Sequence, residues 1–386
     1  MLHFSRRAVL RNLLYTSACF AAAPLFSLEA QVTDAERAAM ARLALEFMEK
    51  FAVPGLSIAI ARQGRVVYEQ PFGVAAWDSR APLNAANLFR IASVTKPITS
   101  VAIFTLREKG KLALSDRVFG EGSILGTAYG TQPYKRYVTD ITVDHLLTHS
   151  CGGWMNDSSD PMFRHPQMNH AELISWTLDT LPLLSPPGRD FMYSNFGYCV
   201  LGRVIEKISG QPYADFVSRE VLSRCAITDM QIAGNTLRQR APGEVVYEGQ
   251  AGENPYNMNV ARMDSHGGWI GSASDLARFA AHAAGIGPAP ALLKPESVSK
   301  MVSPGPPFPG LPEVAYARGW WVRGQGKGNW WHDGSLPGTT SIMVKTSSGF
   351  SWAALCNTRR PPSVAINNAL DNLVWQMARH VSAWPL

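Results

Sequence analysis

The sequence predicts an α/β fold: an antiparallel sheet built from N- and C-terminal segments, flanked by helices, with a large, mostly helical insertion. Strand patterns lie near the two ends, at about residues 52–75 and 315–358. Between them, residues from about 93 to 285 read mostly as helices separated by long loops rich in Gly, Pro and Asn. Hairpin-like strands at both ends argue against a doubly wound nucleotide-binding sheet, in which strands and helices alternate.

An N-terminal helix precedes the first strands. Residues 33–51, TDAERAAMARLALEFMEKF, place apolar residues at helical spacing behind a Thr-Asp start, which predicts a capped amphipathic helix. The next stretch, GLSIAIARQGRVVYEQPFGVA, alternates around Gln63-Gly64 and predicts a β-hairpin. Near the C-terminus, TSIMVKT and FSWAALCN flank the turn SSG and predict strands, and SVAINNALDNLVWQMARHV predicts a closing helix. The two ends of the chain are therefore expected to share one sheet.

The first 30 residues are typical of an export signal. They begin with basic residues, continue with an apolar run and end in small residues. The stretch SRRAVL, residues 5–10, is similar to a twin-arginine signal. We therefore expect a bacterial signal peptide over 1–30, cleaved after Ala30, and a single domain over 31–386 in the periplasm or secreted. A lipoprotein cut before Cys19 is the less favoured alternative.

Composition and motifs exclude several classes of function. The formal charge is +6, falls to +4 without residues 1–30 and includes no basic run, so nucleic acid is not a predicted partner. No phosphate-binding glycine loop, H-E-x-x-H or Cys-x-x-Cys occurs, so we predict no cofactor and no metal. No stable membrane span is expected after processing. Four cysteines follow residue 30, each in an apolar stretch, which favours buried free thiols over disulfides.

A serine and a lysine three residues apart mark the candidate nucleophile. In RIASVTKPITS, Ser93 and Lys96 lie where an apolar stretch enters a helix. Residues i and i+3 share a helix face, and a lysine whose pKa is lowered by burial or charge can take a serine proton. The alternative is that Ser93 only caps the helix. A second Ser-x-x-Lys, Ser297 to Lys300, lies in a short polar helix behind Pro295 and is interpreted as a chance match.

Further motifs follow this pair in order. FMYSNFGY contains Tyr193 and Asn195, and WHDGSLPGTTSIMVK contains His332 and Gly334. Together with NLFRIASVTKPITSVAIFTLREKGKLALSDRV and ITVDHLLTHSCGGW, these stretches resemble the motifs of the penicillin-binding-protein-like serine hydrolases. That family includes class C β-lactamases, D-Ala-D-Ala carboxypeptidases, D-aminopeptidases and esterases. The resemblance spans roughly residues 34–380 and implies a β-lactamase/transpeptidase-like fold.

The resemblance also implies a mechanism. Ser93 would receive an acyl group, and Lys96 and Tyr193 would share its proton. Asn195 would hold the lysine and the acyl-side amide of the substrate. The backbone N–H groups of Ser93 and Ser335 would form the oxyanion hole.

Four more residues, Gly334, His332, Trp154 and Trp331, are candidates for contact with the substrate. Gly334 would allow close approach of substrate to backbone, and His332 would bind the leaving-group side or a carboxylate. A second His-x-Gly, at His266, is the alternative histidine, although it leads into GSASDLARF rather than into the expected substrate strand. Trp154 and Trp331 adjoin motif residues, and they either line an apolar acyl pocket or pack against strands.

These residues favour a serine hydrolase acting on carboxylic esters or on amides of D-amino acids and peptides. Class C β-lactamases usually carry lysine where this chain has His332, and a histidine that is mostly neutral near neutral pH is a weaker carboxylate anchor. A β-lactamase or D,D-carboxypeptidase is the alternative. A binding or regulatory protein that keeps the fold without turnover is the alternative from another class. The expected partner is a small-molecule or peptide substrate, and the sequence leaves the oligomeric state open.

Overall fold

The computed structural model describes residues 31–288, 290–307, 313–324 and 326–386, so the predicted signal peptide lies outside the described residues. The strands in chain order are β1 Gly55–Arg62, β2 Arg65–Ala76, β3 Ala81–Pro82, β4 Phe89–Arg90, β5 Gln231–Ile232, β6 Glu248–Gly249, β7 Trp269–Gly271, β8 Val314–Tyr316, β9 Trp321–Arg323, β10 Trp330–Leu336, β11 Thr339–Lys345, β12 Phe350–Cys356 and β13 Thr358–Arg359. The helices are α1 Asp34–Phe51, α2 Thr95–Glu108, α3 Val143–Leu147, α4 Pro161–Arg164, α5 His170–Thr180, α6 Asn195–Ser209, α7 Tyr213–Val217, α8 Ala273–Ala283, α9 Pro295–Met301 and α10 Val364–His380.

The main sheet has eight antiparallel strands in the order β3-β2-β1-β12-β11-β10-β9-β8. Its middle joins the two ends of the chain, because β1 pairs with β12 from Leu56 opposite Cys356 to Arg62 opposite Phe350. The predicted fold class is therefore confirmed. A small sheet of order β4-β7-β5 joins the segment just before the helical insertion to two strands within it, and the sequence patterns did not indicate this sheet.

Local sequence explains the first elements. The Thr33 hydroxyl accepts from the backbone N–H of Glu36, and the Glu36 carboxylate accepts from the backbone N–H of Thr33, so a capping box begins α1 as predicted. Gln63 and Gly64 both have positive φ, 48° and 79°, which is the backbone of a tight two-residue hairpin turn between β1 and β2. The predicted hairpin is confirmed.

Two apolar layers cover the two faces of the sheet. On one face, α1 and α10 pack with residues of β1, β11 and β12, including Ile58, Ile342 and Trp352. On the other face, α2, α6 and α8 form the larger core, which includes Ile98, Leu201 and Leu276. The candidate nucleophile lies at the start of α2, within this second layer.

Two further predictions are answered by the described chain. Cys151, Cys199, Cys225 and Cys356 are buried free thiols, as expected. Among the described helices, none combines the length and apolarity needed to cross a bilayer.

Candidate active site

Ser93 and Lys96 lie in contact at the entry to α2. Ser93 is in the 3₁₀ turn Ala92–Val94, and the fully buried Lys96 is in the first turn of the helix. The Lys96 Nζ atom donates to Ser93 Oγ at 3.0 Å. No side-chain cap is formed at this turn, so the capping role considered for Ser93 is not seen. Ala92 has φ of 46°, a left-handed conformation that is uncommon for alanine and that sets the turn leading into Ser93.

Lys96 has two other acceptors. Its Nζ donates to the side-chain Oδ1 of Asn195 at 2.8 Å and to the backbone oxygen of His266 at 3.0 Å. Burial lowers the pKa of Lys96 to about 7, although the carboxyl groups of Asp160 and Asp333 act in the opposite direction. A substantial fraction of this lysine is therefore uncharged near neutral pH.

Tyr193 stands beside the same serine. Its hydroxyl lies near enough to Ser93 for the serine to lower the pKa of the phenol, and its ring centroid is 4.8 Å from Lys96 Nζ and 4.0 Å from the ring of His149. Burial raises the pKa of Tyr193 well above its ordinary value, with only partial opposition from Ser93. The phenol is therefore protonated across the neutral range.

Asn195 occupies the first position of α6, behind the N-cap Ser194. Its Nδ2 atom donates to Asp160 Oδ2 at 2.8 Å and to Asn156 Oδ1 at 3.1 Å. Because both amide protons have acceptors, Oδ1 is fixed toward Lys96. Asp160 is almost fully buried, and burial raises its pKa to about 6.

Sequence reasoning did not identify Asn156 or Asp160 as site residues. They lie in NDSSDP, a polar stretch that resembles an ordinary loop with a helix cap before Pro161. Asp160 does cap α4, because its Oδ1 accepts from the backbone N–H of Met162 at 2.9 Å. Its second contact, with Asn195, joins residues 35 positions apart, and no local pattern carries that information.

His332 lies on β10 but is engaged on both ring nitrogens. Its Nδ1 pairs with the backbone oxygen of Asp333 at 2.7 Å, which requires a proton on Nδ1, so Nε2 accepts from the Tyr316 hydroxyl at 3.1 Å. The side chain is 1% exposed, and burial lowers its pKa to about 3. The structure therefore does not offer His332 as the carboxylate anchor that the resemblance implied.

Gly334 is explained by packing against the nucleophile turn. A Cβ atom at this position would lie 2.4 Å from the backbone oxygen of Ile91 and 3.1 Å from the Cβ of Ala92. It would also lie 2.3 Å from the hydroxyl of Ser341 on β11. The missing side chain thus lets β10 lie close to the turn that carries Ser93, and the expected approach of substrate to this backbone stays a prediction.

Ser335 lies next to this contact and lines the same cleft as Ser93. β9 pairs with β10 only at Trp330 and Trp331, so within the described chain the later part of β10 has a strand partner on one side only, β11. The N–H of Ser93 is in the first turn of its 3₁₀ segment, where no intrahelical acceptor exists. The placement of both backbone groups is compatible with the predicted oxyanion hole.

A cleft of about 360 Å³ opens over these residues. Its polar wall contains Ser93, Asn156, Asn195, His266, Ser335 and Ser363. Its apolar wall is formed by Phe163, Met258, Leu336 and Pro337. Arg359 also lines the cleft, but both oxygens of the Glu253 carboxylate accept from its guanidinium, which balances the charge.

Two predicted pocket residues lie elsewhere. Trp154 is 5% exposed, contacts the ring of Phe196 at 4.9 Å and donates its indole N–H to the backbone oxygen of Leu181. Trp331 lines a different cavity, on the α10 side of β10. Successive side chains of a strand point to opposite faces, so Trp331 and His332 are separated by the sheet. Neither tryptophan therefore lines the catalytic cleft: Trp154 packs in the core, and Trp331 lines the other cavity.

The two look-alike motifs are also resolved. His266 precedes β7, and its backbone oxygen rather than its ring contacts Lys96. A capped helix follows β7, because Ser272 and Asp275 form a capping box at the start of α8. Ser297 is buried and accepts from Arg107 at 3.3 Å, whereas Lys300 is exposed, so this pair does not repeat the Ser93 arrangement.

No group of three His, Cys, Asp or Glu side chains in the described ranges is arranged to hold a metal ion. The site therefore consists of a buried lysine, a serine hydroxyl, a protonated phenol and a carboxamide, with two backbone N–H groups nearby. These are the parts of a serine hydrolase centre.

The chain belongs to the β-lactamase family, because the family model described as Beta-lactamase matches residues 40–374. This confirms the predicted family of β-lactamase-fold serine hydrolases. Among curated proteins, it is 31% identical over 216 residues to esterase EstB of Burkholderia gladioli, covering 53% of each chain. It is 30% identical over 195 residues to penicillin-binding protein 4* of Bacillus subtilis, covering 49% of this chain and 40% of that protein. The matches thus span about half the length of these relatives or less.

Solved structures support the fold. The octameric penicillin-binding protein homologue from Pyrococcus abyssi superposes with a TM-score of 0.72 at 24% identity, covering 89% of this chain and 78% of that chain. The D-amino acid amidase from Ochrobactrum anthropi superposes with a TM-score of 0.73 at 19% identity, covering 90% and 98%. At these identities the likeness concerns the fold.

Proposed function

We propose that this protein is an esterase that hydrolyses carboxylic esters through an acyl-enzyme on Ser93. The contact of 3.0 Å between Lys96 Nζ and Ser93 Oγ carries this proposal. A serine hydroxyl needs a nearby base to become a nucleophile, and a buried lysine with a pKa of about 7 is such a base.

The hydrogen bonds of Lys96 favour it as the base. An uncharged lysine has two protons and one lone pair. The oxygens of Asn195 and His266 can only accept, so they take these two protons. In the uncharged form, the lone pair is left for the contact with Ser93 Oγ, and the direction of this hydrogen bond reverses, so that the serine hydroxyl donates to the amine. Tyr193, which keeps its own proton, is placed to pass a proton between Ser93 Oγ and the leaving group.

The proposed reaction has two halves. In the first, Lys96 takes the Ser93 proton while Oγ attacks the ester carbonyl, and the backbone N–H groups of Ser93 and Ser335 hold the oxyanion. The C–O bond then breaks, and the proton passes to the departing alkoxide, directly or through Tyr193. In the second half, water loses a proton to the same base and attacks the acyl-enzyme. The bond between the acyl carbon and Ser93 Oγ then breaks, the base returns the proton to Oγ, and the acid is released.

The lining of the cleft favours an uncharged substrate. Lys96 and His332 are buried, and the Arg359 charge is balanced by Glu253. The apolar wall of Phe163 and Met258 suits an aliphatic or aromatic acyl group. EstB of Burkholderia gladioli, which is named an esterase, supports the same choice.

Arg359 supports a second candidate, hydrolysis of an amide or β-lactam that carries a carboxylate. Its guanidinium lines the cleft, and it would bind such a substrate by exchanging the Glu253 carboxylate for the carboxylate of the substrate. Amides of D-amino acids and peptides and D-Ala-D-Ala substrates fall under this second candidate.

Covalent labelling tests the proposal. A fluorophosphonate probe is expected to add once per chain, at Ser93, and p-nitrophenyl esters should be hydrolysed faster than nitrocefin or D-Ala-D-Ala peptides. Labelling and hydrolysis should be lost in Ser93→Ala and retained in the matched control Ser297→Ala. An unlabelled wild-type protein, or labelling that persists in Ser93→Ala, would refute the hydrolase mechanism. Faster hydrolysis of a carboxylate-bearing substrate would favour the second candidate.

We also propose that the enzyme acts in the periplasm or outside the cell. The signal-like residues 1–30 support this proposal, and detection of the mature enzyme in a periplasmic or culture fraction tests it.

A further inference from the structure

A second cavity, which we call the α10 cavity, lies on the opposite face of β10 from the catalytic cleft. It measures about 450 Å³, opens to solvent and is lined by residues of β9, β10, β11 and α10 and by Asn329. Its apolar part consists of Val344 and the two indoles of Trp331 and Trp375. Its polar part consists of Arg323, Asn329, Asn368, Asp371 and Asn372. No residue of the catalytic mechanism lines it.

The polar side chains on α10 are poorly explained by folding alone. Asparagine is an unfavourable residue inside a helix, and α10 contains Asn367, Asn368 and Asn372. Asn367 is accounted for, because it donates to the Asp333 carboxylate at 2.8 Å. Asn368 and Asn372 are exposed, lie one turn apart on the cavity side and have no hydrogen-bond partner within the described part of the chain. Residues that break a local preference without an internal partner are candidates for ligand binding.

The aromatic part is held in place. The ring of Trp331 stacks against that of Trp321 with centroids 6.5 Å apart and an angle of 20°, and Arg323 lies 5.7 Å from the Trp331 centroid. The ring of Trp375 packs edge to face against Trp352 at 4.6 Å. Trp331 and Trp375 are only half-buried, so rigid indole surface remains available inside the cavity.

The polar and apolar side chains that line the α10 cavity indicate which class of ligand fits it. One guanidinium and one carboxyl group give the lining no excess charge, which disfavours phosphates and other strong anions. Five of the eight lining residues are polar, which disfavours a lipid chain. A pyranose ring matches both parts, since its C–H face packs on an indole while its hydroxyls exchange hydrogen bonds with carboxamides and a carboxyl group.

We propose that the α10 cavity binds a neutral sugar as a mono- or disaccharide. Trp331 and Trp375 contact the C–H face of the ring, and Asn368, Asp371 and Asn372 bind its hydroxyls. The sheet separates this site from Ser93, so sugar binding does not require a functional nucleophile.

Binding is tested in the Ser93→Ala protein, which makes the outcome independent of the proposed esterase. Maltose, cellobiose and N,N′-diacetylchitobiose are added at about 10 mM and observed by saturation-transfer-difference NMR. We expect transfer to the ring C–H protons of at least one disaccharide. In Trp331→Ala, and in the double variant Asn368→Ala/Asn372→Ala, its affinity should fall roughly tenfold or more. The exposed Trp77 lies between β2 and β3, strands near the other end of the main sheet order from β9, and provides the control Trp77→Ala, which should bind normally.

Two results would overturn the proposal. One is the absence of saturation transfer to all three sugars. The other is binding that is unchanged in the double asparagine variant, whose exposed positions make it the variant least prone to misfold if Trp331→Ala fails to fold.

Discussion

The Asn195 amide donates to the buried Asp160 carboxylate at 2.8 Å, and this contact fixes which way the amide faces. With Asn156 taking the second proton, the amide oxygen has to face Lys96. The carboxylate therefore acts on the lysine in two ways: it orients one of its acceptors, and its charge raises the lysine pKa. Asp160 is a positioning residue for the proposed base.

The pH dependence of the wild-type enzyme should report Lys96. Because the base has to be uncharged, kcat/KM for a neutral p-nitrophenyl ester should fall as pH drops through about 7. Burial holds the pKa values of His149, His266 and His332 below the ordinary histidine value, so these histidines do not account for the acidic limb, the fall of kcat/KM toward low pH. A flat profile between about pH 5 and about pH 8 would contradict the assignment.

Asp160→Asn should move that acidic limb to lower pH. The carboxylate raises the pKa of Lys96, so its removal lowers that pKa and leaves the base uncharged further into the acid range. We also expect kcat to fall about tenfold, because the new amide no longer orients Asn195 in one way. The exposed Asp157 is the matched control, and Asp157→Asn should retain the wild-type profile. An unshifted limb in Asp160→Asn would mean that Asp160 has only a structural role.

Lys96 and Tyr193 should behave as one unit. We expect Lys96→Ala to lower kcat by about 10³-fold and Tyr193→Phe by about 10²-fold, since each removes a group that handles the Ser93 proton. The double variant should be little worse than Lys96→Ala alone. Steady-state kinetics of the wild type, the two single variants and the double variant complete a double-mutant cycle. If the fold-decreases in kcat of the single variants multiply in the double variant, the two residues act independently.

Gly334→Ala should disturb the nucleophile turn. The added Cβ would meet the Ile91 oxygen at 2.4 Å, and relief of this clash should cost about 1–3 kcal/mol in the free energy of unfolding. Turnover should fall as well, because the same clash displaces the turn that carries Ser93. Urea denaturation and ester hydrolysis measure the two effects. Gly197→Ala is the control, since its Cβ would meet nothing closer than 3.6 Å.

The sequence was most informative where the signal is local. The capping box at Thr33, the turn at Gln63-Gly64 and the Ser93–Lys96 spacing each follow from a few adjacent residues, and the structure contains all three. The order of the motifs also predicted that Tyr193 and Asn195 lie in the same site as Ser93.

The remaining features depend on packing between distant segments. Asp160 reads as a helix cap, and only the fold brings it to Asn195. His332 was expected at the substrate, but its two ring nitrogens are hydrogen-bonded to the Tyr316 hydroxyl and to the backbone oxygen of Asp333. Trp331 adjoins a motif residue, yet the alternation of β10 places it on the other face of the sheet. None of these contacts can be recognised from the residues that adjoin them in the sequence.

The pairing of β1 with β12 also has a kinetic consequence. Residues near 60 can pair with their neighbouring strand β12 only after residues near 350 have been synthesised. In the sequence, Ser93 lies between these two strands. Contacts of such long sequence separation close slowly, because the intervening loop has to be ordered first. The sheet that supports the reactive centre therefore cannot be completed until β12 has been synthesised, and hydrolytic competence should emerge only after that point.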